Sequence, residues 1–317
     1  MTLVWMFPGQ SSRYPGMLDK LVDLRPAGAR VLEQASALLR RDLGAHYREG
    51  NPQAYGCNRD VQVGVFLANH LLLQLVEDEG LAAQASLGLS LGEWNHLVHI
   101  GVLDFEQALL AVAERGAAYD AGPRGAMASV FPIGLAELTA VARRAAQGEV
   151  LEVVNLNSPR QQVLSGDAAA IERALGILEA EHFVEAVVIE REVPMHSSLF
   201  VPVGAKLREF LSTVSFRAPR LPYLPNRLGQ FVDAPPPAQL VELLSTHVHR
   251  PVLWRQSIDL VLRRWPDAVL VEVGPRAVLH NLLDKKWHPG VRRYHLDSTE
   301  RTGEHLAQVL ARLRACS

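Results

Sequence analysis

The sequence predicts an α/β protein with a larger part built on a buried parallel sheet and a smaller part inserted into it. Short apolar runs that end at glycine or proline, such as LVWMF at 3–7, are typical of strands buried on both faces. Segments with apolar residues three and four positions apart, such as 61–76, predict the helices that cover such a sheet. The middle of the chain instead follows the order β-α-β-β-α-β, which indicates a separate small unit.

Composition excludes several other classes of protein. The 317 residues are 48% hydrophobic and 21% charged with a formal net charge of −2, which excludes a disordered chain and gives no reason to expect nucleic-acid binding. No segment approaches the roughly 20 apolar residues of a membrane helix, and the start, MTLVWMFPGQ, lacks the features of a signal peptide. Two cysteines, Cys57 and Cys316, are too few for a disulfide framework. We therefore expect a cytoplasmic globular protein, with neither a membrane nor nucleic acid as a partner.

The first part of the chain is predicted to alternate strands and helices. Its last helix ends near Tyr119 and is expected to begin at Asp104, whose carboxylate can cap the free N–H groups of the first turn. The elements in chain order are a strand at 3–7, helices at 27–40 and 61–76, a strand at 83–89, and helices at 93–100 and 104–119.

The β-α-β-β-α-β segment is compact enough to be an insertion within a larger α/β domain. This order is typical of a ferredoxin-like subdomain, which we place at 125–192, so that 1–124 and 193–317 form the large domain. Its elements are a strand at 126–132, a helix at 135–146, strands at 151–155 and 162–165, a helix at 168–181 and a strand at 184–189. After it, helices are predicted at 203–211, 237–244 and 252–264, followed by a last buried strand at 268–273.

The motif Gly88-Leu89-Ser90-Leu91-Gly92 fits the pattern G-x-S-x-G between a predicted strand and a predicted helix. In such a place the glycines relieve crowding at a sharp turn, and the serine is exposed at the helix N-terminus. The free N–H groups of that helix end can stabilise an oxyanion formed by attack on a carbonyl. Ser90 is therefore the candidate nucleophile, although small residues also gather at strand–helix turns for packing reasons alone.

A serine nucleophile needs a base, and the sequence has 12 histidines. His96 and His99 lie on the helix that follows the serine and are expected to point away from it, as parts of a packed or solvated helix face. His196 differs because it follows Val193-Pro194 and precedes Ser197-Ser198, where the small unit ends and a new helix begins. A polar junction of this kind can present a base to a cleft.

Together these motifs resemble the malonyl-CoA:acyl carrier protein transacylase family, the acyltransferases of fatty-acid and polyketide synthesis. FPGQ at 7–10 with PGM at 15–17 is similar to the N-terminal signature of that family, and GLSLGE at 88–93 is similar to its GHSLGE motif. The resemblance covers essentially the whole chain, in register. Its other motifs are RG at 115–116, NLNSPRQQVLSG at 155–166, VPMH at 193–196, PVLW at 251–254 and EVGP at 272–275.

The resemblance implies an α/β-hydrolase-like large domain that carries a serine–histidine pair. Ser90 would be the acylated nucleophile, and His196 would be its general base. A backbone carbonyl near His249 or Arg250, rather than an aspartate, would orient the imidazole. The resemblance implies neither a metal nor a cofactor.

The same resemblance implies the groups that would hold the substrate. The backbone N–H groups of Gln10 and Leu91 would form the oxyanion hole. Arg115 would pair bidentately with the free carboxylate of a malonyl-type group, which suits guanidinium geometry, and Gln62 would lie beside that carboxylate. On the residues alone, Arg115 could equally be a solvated helix charge and Gln10 could cap a loop.

Two positions depart from the family pattern and concern the identity of the acyl group. Leu89 stands where the family usually has the histidine of GHSLGE, which makes the site more apolar. Met195, directly before His196, occupies a position that varies with side-chain selectivity in polyketide acyltransferases. Its flexible thioether could line a pocket for a substituent larger than a proton, or could fill the core. These departures favour a specialised polyketide-type enzyme over the fatty-acid one.

The sequence thus predicts a free-standing acyltransferase that works through an acyl-serine. Its predicted partners are an acyl-CoA, with malonyl-CoA favoured by Arg115, and an acyl carrier protein with its phosphopantetheine thiol. The alternative enzyme is an acyl hydrolase that releases acyl groups from carrier proteins with the same Ser90 and His196. Leu89 favours this alternative, whereas Arg115 argues against it, because a hydrolase of simple acyl chains needs no carboxylate receptor. A carrier-protein docking module without activity is the third hypothesis, and the retention of both candidate residues argues against it.

Overall fold

A four-stranded parallel sheet and a four-stranded antiparallel sheet organise the chain in the computed structural model, which describes residues 2–315. The parallel sheet has the order β2-β1-β7-β8 and the antiparallel sheet the order β4-β5-β3-β6, where the strands are β1 (Leu3–Phe7), β2 (Ala85–Gly88), β3 (Ala126–Phe131), β4 (Leu151–Leu156), β5 (Gln162–Gly166), β6 (Glu185–Glu190), β7 (Val269–Glu272) and β8 (Arg292–His295). The predicted α/β class is confirmed.

β1 lies between β2 and β7, and all five of its residues are buried. Its side chains enter two different cores, with Trp5 in one and Val4 and Met6 in the other. A strand that is covered on both faces needs a continuous apolar run rather than an alternating one, which explains LVWMF. Phe7 at the end of β1 pairs with Gly88 at the end of β2. The loops that follow these two strands therefore leave the sheet side by side, where α/β proteins bind ligands.

Helices cover both faces of the parallel sheet and connect its strands. Asp104 accepts a hydrogen bond of 2.8 Å from the backbone N–H of Gln107, so the predicted cap of α6 is confirmed. The helices in chain order are α1 (Met17–Leu24), α2 (Ala29–Leu39), α3 (Leu43–His46), α4 (Asn58–Asp78), α5 (Gly92–His99), α6 (Phe105–Asp120), α7 (Leu135–Ala146), α8 (Ala168–Ile177), α9 (Val201–Leu211), α10 (Pro237–His247), α11 (Trp254–Arg264), α12 (Val278–Leu282) and α13 (Glu304–Arg314).

The antiparallel sheet has its own core against α7 and α8. Val130 and Leu164 of the sheet share that core with Leu138 of α7 and Ile171 of α8. The predicted order β-α-β-β-α-β is confirmed, and all strand pairs of this sheet are antiparallel. The two ends of this unit lie next to each other, since the N–H of Gly125 donates to the carbonyl of Glu192, and a backbone bridge joins Asn155 to Val252.

The structure corrects three boundary predictions. The strand at 268–273 is not the last, because β8 follows it at the edge of the parallel sheet; its sequence, RRYH, is partly exposed and carries no apolar run. The helix predicted at 168–181 is α-helical to Ile177 and continues as a wider turn over Leu178–His182. The helix predicted at 252–264 begins at Trp254, since Val252 is bridged to the antiparallel sheet.

The structure also bears on the cysteines and on the expected absence of a membrane helix. Cys57 is a free, exposed cysteine, and Cys316 lies outside the described residues. Across residues 2–315, no helix has both the length and the apolar character that a bilayer span requires.

Candidate active site

The turn between β2 and α5 holds Ser90 in a backbone conformation that favours glycine. Its φ angle is 53°, in the left-handed region. The flanking glycines leave no room for a side chain: a Cβ on Gly88 would lie 2.1 Å from the backbone of Gly92, and one on Gly92 would lie 2.0 Å from the carbonyl oxygen of Phe7. The pattern G-x-S-x-G is thus required by the close approach of β1, β2 and α5, and it leaves Ser90 half-buried at the helix start.

Ser90 and His196 form a hydrogen-bonded pair, with 2.8 Å between Ser90 Oγ and His196 Nε2. On the other side of the ring, His196 Nδ1 lies 2.9 Å from the carbonyl oxygen of His247. Because a carbonyl only accepts, Nδ1 carries the proton, and the Nε2 lone pair is left to accept the serine hydroxyl. The carbonyl hydrogen-bonded to the ring is therefore that of His247, two residues before the predicted His249, while the backbone of the predicted Arg250 also acts on the imidazole.

His196 is buried and is held in place through its backbone as well. Its φ angle is 66°, and its N–H donates to the carbonyl of Val248 over 2.9 Å. Burial and, second, the positive charge of Arg115 together lower the pKa of the imidazole to about 3, although the carbonyls of His247 and Arg250 oppose both effects. His196 is consequently neutral at neutral pH, the state that a proton acceptor needs.

Arg115 on α6 is buried beside this pair, with a relative exposure of 1%. Its Nη1 donates to Gln62 Oε1 over 2.6 Å, its Nη2 donates to Ser90 Oγ over 3.2 Å, and its guanidinium lies over the ring of Tyr119. Gly116 permits this placement, since a Cβ there would lie 2.4 Å from Arg59 Cα on α4. The close packing of α6 on α4 thereby sets Arg115 and Gln62 next to each other.

The guanidinium of Arg115 has only neutral hydrogen-bond partners within residues 2–315. Its Nε and the Nε2 of Gln62 are buried without a partner. Burial lowers the pKa of Arg115, and the nearby charge of Glu93 partly offsets that effect. A buried cation without a paired carboxylate is costly, and a carboxylate ligand would satisfy both its charge and its free donor.

The loops after β1 and β2 touch, which brings Gln10 next to the nucleophile turn. A Cβ on Gly9 would lie 2.9 Å from the carbonyl oxygen of Leu89. Gln10 begins a short 3-10 turn, and Leu91 is the residue before α5. In the described part of the chain, neither backbone N–H donates a hydrogen bond to another protein group, so both remain able to bind an oxyanion.

A cleft between the two sheets opens onto Ser90 and His196. Both β-sheet units contribute to its walls, and the predicted Leu89 and Met195 are buried, lining residues with exposures of 8% and 7%. The remaining lining residues are Gly9, Gln10, Ser11, Arg13, Met127, Asn155, Ile189 and Glu190. The seven other residues predicted for the site are therefore gathered around Ser90, either on this cleft or directly behind it.

A comparison with known proteins assigns the chain to a family. The family model described as "Acyl transferase domain" matches residues 4–306. The chain belongs to the acyl transferase domain family. It is 32% identical to the malonyl CoA-acyl carrier protein transacylase of Escherichia coli (strain K12) over 285 residues, which are 88% of this chain and 90% of that protein.

Solved structures of other acyl transferases have the same fold. The malonyl CoA-acyl carrier protein transacylase of Coxiella burnetii superposes with a TM-score of 0.89 at 30% identity, covering 99% of this chain and 98% of that one. A malonyl-transacylase solved in complex with its type II polyketide-synthase acyl carrier protein superposes with a TM-score of 0.88 at 27% identity, covering 98% of this chain and 100% of that one.

Sequence reasoning missed a residue that fixes the nucleophile turn of this acyl transferase. Asn226, in the loop before α10, accepts the N–H of Ser90 over 2.7 Å and donates to the carbonyl of Gly88 over 2.5 Å. It lies 136 positions from Ser90, in a segment without a motif, so no local signal points to it. The prediction for His96 and His99 is confirmed, because both rings face the hydroxyl of Ser86, away from Ser90.

Proposed function

We propose that this acyl transferase moves a malonyl group from CoA to the phosphopantetheine thiol of an acyl carrier protein through an acyl-Ser90 intermediate. The observation that carries the proposal is the buried Arg115, which lies 3.2 Å from the oxygen of a serine that is paired with a neutral histidine. Such a site joins a nucleophile to a receptor for a carboxylate. The names of its relatives, which specify malonyl-CoA and acyl carrier protein, support the same substrates.

In the first half-reaction, Ser90 Oγ attacks the thioester carbonyl while its proton passes to His196 Nε2. The carbonyl of His247 stabilises the imidazolium through Nδ1–H. The N–H groups of Gln10 and Leu91 receive the oxyanion. When the carbonyl reforms, the C–S bond breaks, and the CoA sulfur leaves with the proton from His196.

The second half-reaction is the reverse with a different thiol. The phosphopantetheine thiol gives its proton to His196 and attacks the acyl-Ser90 carbonyl. The same oxyanion is formed, the C–O bond to Ser90 breaks, and Ser90 recovers its proton from His196. Each step is an acyl or a proton transfer, so the proposal includes no metal and no redox cofactor.

Arg115 gives the proposal its preference for a malonyl group. A substrate carboxylate would accept hydrogen bonds from the guanidinium and from the free Nε2 of Gln62. Neutralising the charge of Arg115 also removes one of the two causes that lower the pKa of His196. The correct substrate would thus strengthen the base that its own acyl transfer requires.

Leu89 and Met195 are proposed to contact the acyl group at the cleft wall. Leu89 packs with Met6 and Leu87, so its side chain is anchored in a core and presents a rigid apolar surface. Met195 lies directly before the base and can adjust its shape. We propose that this wall accepts a malonyl group with an apolar substituent, as a polyketide-type enzyme would require.

We also propose the domain division predicted above. Residues 125–192 would form a ferredoxin-like subdomain, which is supported by the strand order β4-β5-β3-β6 and by a core separate from the other two. Residues 1–124 and 193–317 would form an α/β-hydrolase-like catalytic domain, supported by the parallel sheet and the turn at Ser90. The absence of a bilayer-length apolar helix across residues 2–315 is consistent with the cytoplasmic location that we propose.

Intact mass spectrometry tests the proposed function directly. Incubation with malonyl-CoA is expected to add one malonyl group to the protein, and a phosphopantetheinylated carrier protein is expected to remove it and gain the same mass. Ser90→Ala is the control that should take up no acyl group. The proposal is wrong if the wild-type protein remains unmodified, or if the acyl group is lost to water as fast with carrier protein as without it.

A further inference from the structure

Behind the serine–histidine pair lies a buried carboxylate, Glu93, that the reaction described above does not use. Glu93 is on α5 and has an exposure of 1%. Its Oε1 accepts the hydroxyl of Tyr223 over 2.7 Å, and its Oε2 lies 3.2 Å from Nδ1 of His247 and 3.4 Å from the N–H of Asn226. A buried carboxylate that accepts two hydrogen bonds and also contacts an imidazole nitrogen is a rigid point of attachment.

Two of the residues around Glu93 also hold the reacting pair: Asn226 holds Ser90, and His247 holds His196. Asn226 fixes the peptide of Ser90 through its side-chain amide, and its own N–H faces Glu93. His247 orients the ring of His196 through its carbonyl, and its side chain faces Glu93. One carboxylate therefore connects the support of the nucleophile with the support of the base.

Because His247 is the last residue of α10, its side-chain contact with Glu93 can fix the position of that helix end. The carbonyls of a last helical turn have no intrahelical donor and are free to accept other groups, as this one accepts Nδ1–H of His196. α5, which carries Glu93, begins directly after the nucleophile turn. The contact between Glu93 and His247 thus ties the end of α10 to the start of α5.

We propose that the buried pair of Glu93 and His247 is a positioning element, in which His247 Nδ1–H donates to Glu93 and sets the distance between Ser90 Oγ and His196 Nε2. Both side chains are 2% exposed, and the His247 and His196 rings are 5.0 Å apart. The imidazole of His247 is neutral, because burial, the neighbouring imidazole of His196 and the charge of Arg115 all lower its pKa. The pair acts as a neutral donor on a carboxylate, and neither residue exchanges a proton with the substrate.

The positioning role of Glu93 and His247 rests on the proposed function only in assuming that Ser90 is a nucleophile. A reagent that reacts with serine without occupying an acyl pocket can therefore test this role. Phenylmethylsulfonyl fluoride forms a bond between sulfur and Ser90 Oγ, the S–F bond breaks, fluoride leaves, and His196 accepts the hydroxyl proton. The second-order rate constant of this reaction, measured by intact mass, reports the Ser90–His196 geometry for any natural substrate.

Three variants define the expected result. His247→Leu removes the donor and is expected to slow sulfonylation of the folded protein about 100-fold, the cost of a misplacement of about 1 Å. His247→Gln keeps a side-chain N–H for Glu93 and should recover most of that loss. His70→Leu is the control, because His70 is another buried histidine that lies on α4 and stacks on Phe105; it should change the rate less than twofold.

A measurement on the wild-type protein keeps the proposal falsifiable if His247→Leu does not fold. Nitrogen chemical shifts of ¹⁵N-labelled histidine at pH 9, where Glu93 with its pKa of about 7 is ionised, should show His247 as the Nδ1–H tautomer. The Nε2–H tautomer would overturn the proposal. So would a folded His247→Leu variant that reacts within twofold of wild type, or a His247→Gln variant as slow as His247→Leu. If Ser90 is sulfonylated in this order of rates but malonyl-CoA does not acylate it, the proposed function fails and the positioning role stands.

Discussion

Arg115 Nη2 and His196 Nε2 lie 3.2 Å and 2.8 Å from the same atom, Ser90 Oγ. The serine oxygen therefore accepts from a fixed cation and donates to a neutral base at once. This arrangement favours the alkoxide that forms during attack, yet the same cation opposes protonation of the base. The balance between the two effects depends on whether a carboxylate neutralises Arg115.

Malonate is therefore expected to raise the pKa of His196. In the free protein, burial and then the charge of Arg115 lower that pKa to about 3. A bound dicarboxylate would remove the second cause, so the histidine would bind its proton at a higher pH. Histidine NMR spectra recorded with and without malonate, over the pH range in which the protein stays folded, should show protonation of His196 beginning at a higher pH when malonate is bound, and Arg115→Leu should abolish this response. An unchanged pKa with malonate bound would show that the two groups are not coupled in this way.

Arg115→Ala is expected to separate malonyl transfer from simple acyl chemistry. Removing one partner of a buried charge pair costs about 2–5 kcal/mol, so kcat/KM for malonyl-CoA should fall by about 30-fold or more. Acylation by acetyl-CoA, which has no free carboxylate, should fall much less. Arg124→Ala, at an exposed arginine, is the matched control. An equal loss for both acyl groups would favour the acyl hydrolase hypothesis, in which no carboxylate is recognised.

Met195→Ala is expected to widen the acyl selectivity. Met195 is buried at the cleft wall next to His196, and its truncation leaves space beside the acyl group. The ratio of acylation rates for methylmalonyl-CoA to malonyl-CoA should rise, while the protein loses about 2–5 kcal/mol of stability. Met127→Ala, which empties a different part of the same wall, shows whether the effect is specific to position 195. An unchanged ratio would mean that Met195 fills the core without contacting the substrate.

Unfolding in acid is expected to be steep below pH 6. Burial lowers the pKa of several histidines, so the unfolded chain binds more protons than the native one as the pH falls through 6.5, and stability is lost. The most deeply buried of these residues are His70, His96, His99, His196 and His247. Two buried glutamates, Glu93 and Glu272, have raised pKa values of about 7 and about 8 and oppose the loss, because they bind protons in the native state first.

Five such histidines less two glutamates leave a difference of about three protons, which corresponds to about 4 kcal/mol of lost stability per pH unit near pH 5.5. Urea unfolding followed from pH 7 to pH 5 measures this slope. His70→Phe, which keeps the aromatic stacking against Phe105 and removes one titrating group, should reduce the slope by about 1.4 kcal/mol per pH unit. A slope that does not change in this variant would contradict the assignment of the acid sensitivity to buried histidines.

Gly92→Ala is expected to destroy the nucleophile turn. The added Cβ would lie 2.0 Å from the carbonyl oxygen of Phe7, so the backbone of β1 or α5 must move. We expect a loss of about 3 kcal/mol or more and of Ser90 reactivity, measured by thermal unfolding and sulfonylation. Gly176→Ala is the matched control, because its Cβ would meet open space inside α8 and should stabilise the helix by about 0.5–1 kcal/mol. A Gly92→Ala protein with normal stability would contradict the crowding argument.

The sequence predicts the parts of this molecule whose causes are local. β1 is recognisable because a strand covered on both faces needs an apolar run, and the turn at Ser90 is recognisable because close backbone approach requires glycine on both sides. β8 is not recognisable in this way. Its hydrogen bonds to β7 come from tertiary context, and its side chains are charged or partly exposed.

In the active site, too, residues within local motifs are predictable from the sequence, and groups supplied by distant segments are not. Ser90, His196 and Arg115 lie within motifs, whereas the groups that hold them come from distant loops and helix ends. The resemblance places the carbonyl that orients His196 only approximately, near His249 or Arg250, because backbone atoms carry no sequence signal. The position of the end of α10 in the fold brings the carbonyl of His247 to the ring. Asn226 carries no recognisable signal either, because a single asparagine in a loop without a motif resembles any other.

The two residues of the reacting pair both have left-handed backbone conformations, with φ angles of 53° and 66°. Each such angle costs a non-glycine residue of order 1 kcal/mol, and glycine would relieve that cost. Heat resistance and chemistry are therefore in competition at the same two backbone positions. A laboratory lineage of this protein that is selected only for survival at high temperature would be free to accept glycine at 90, where only a small half-buried side chain is lost, and would end as a sturdier protein that no longer forms an acyl-enzyme.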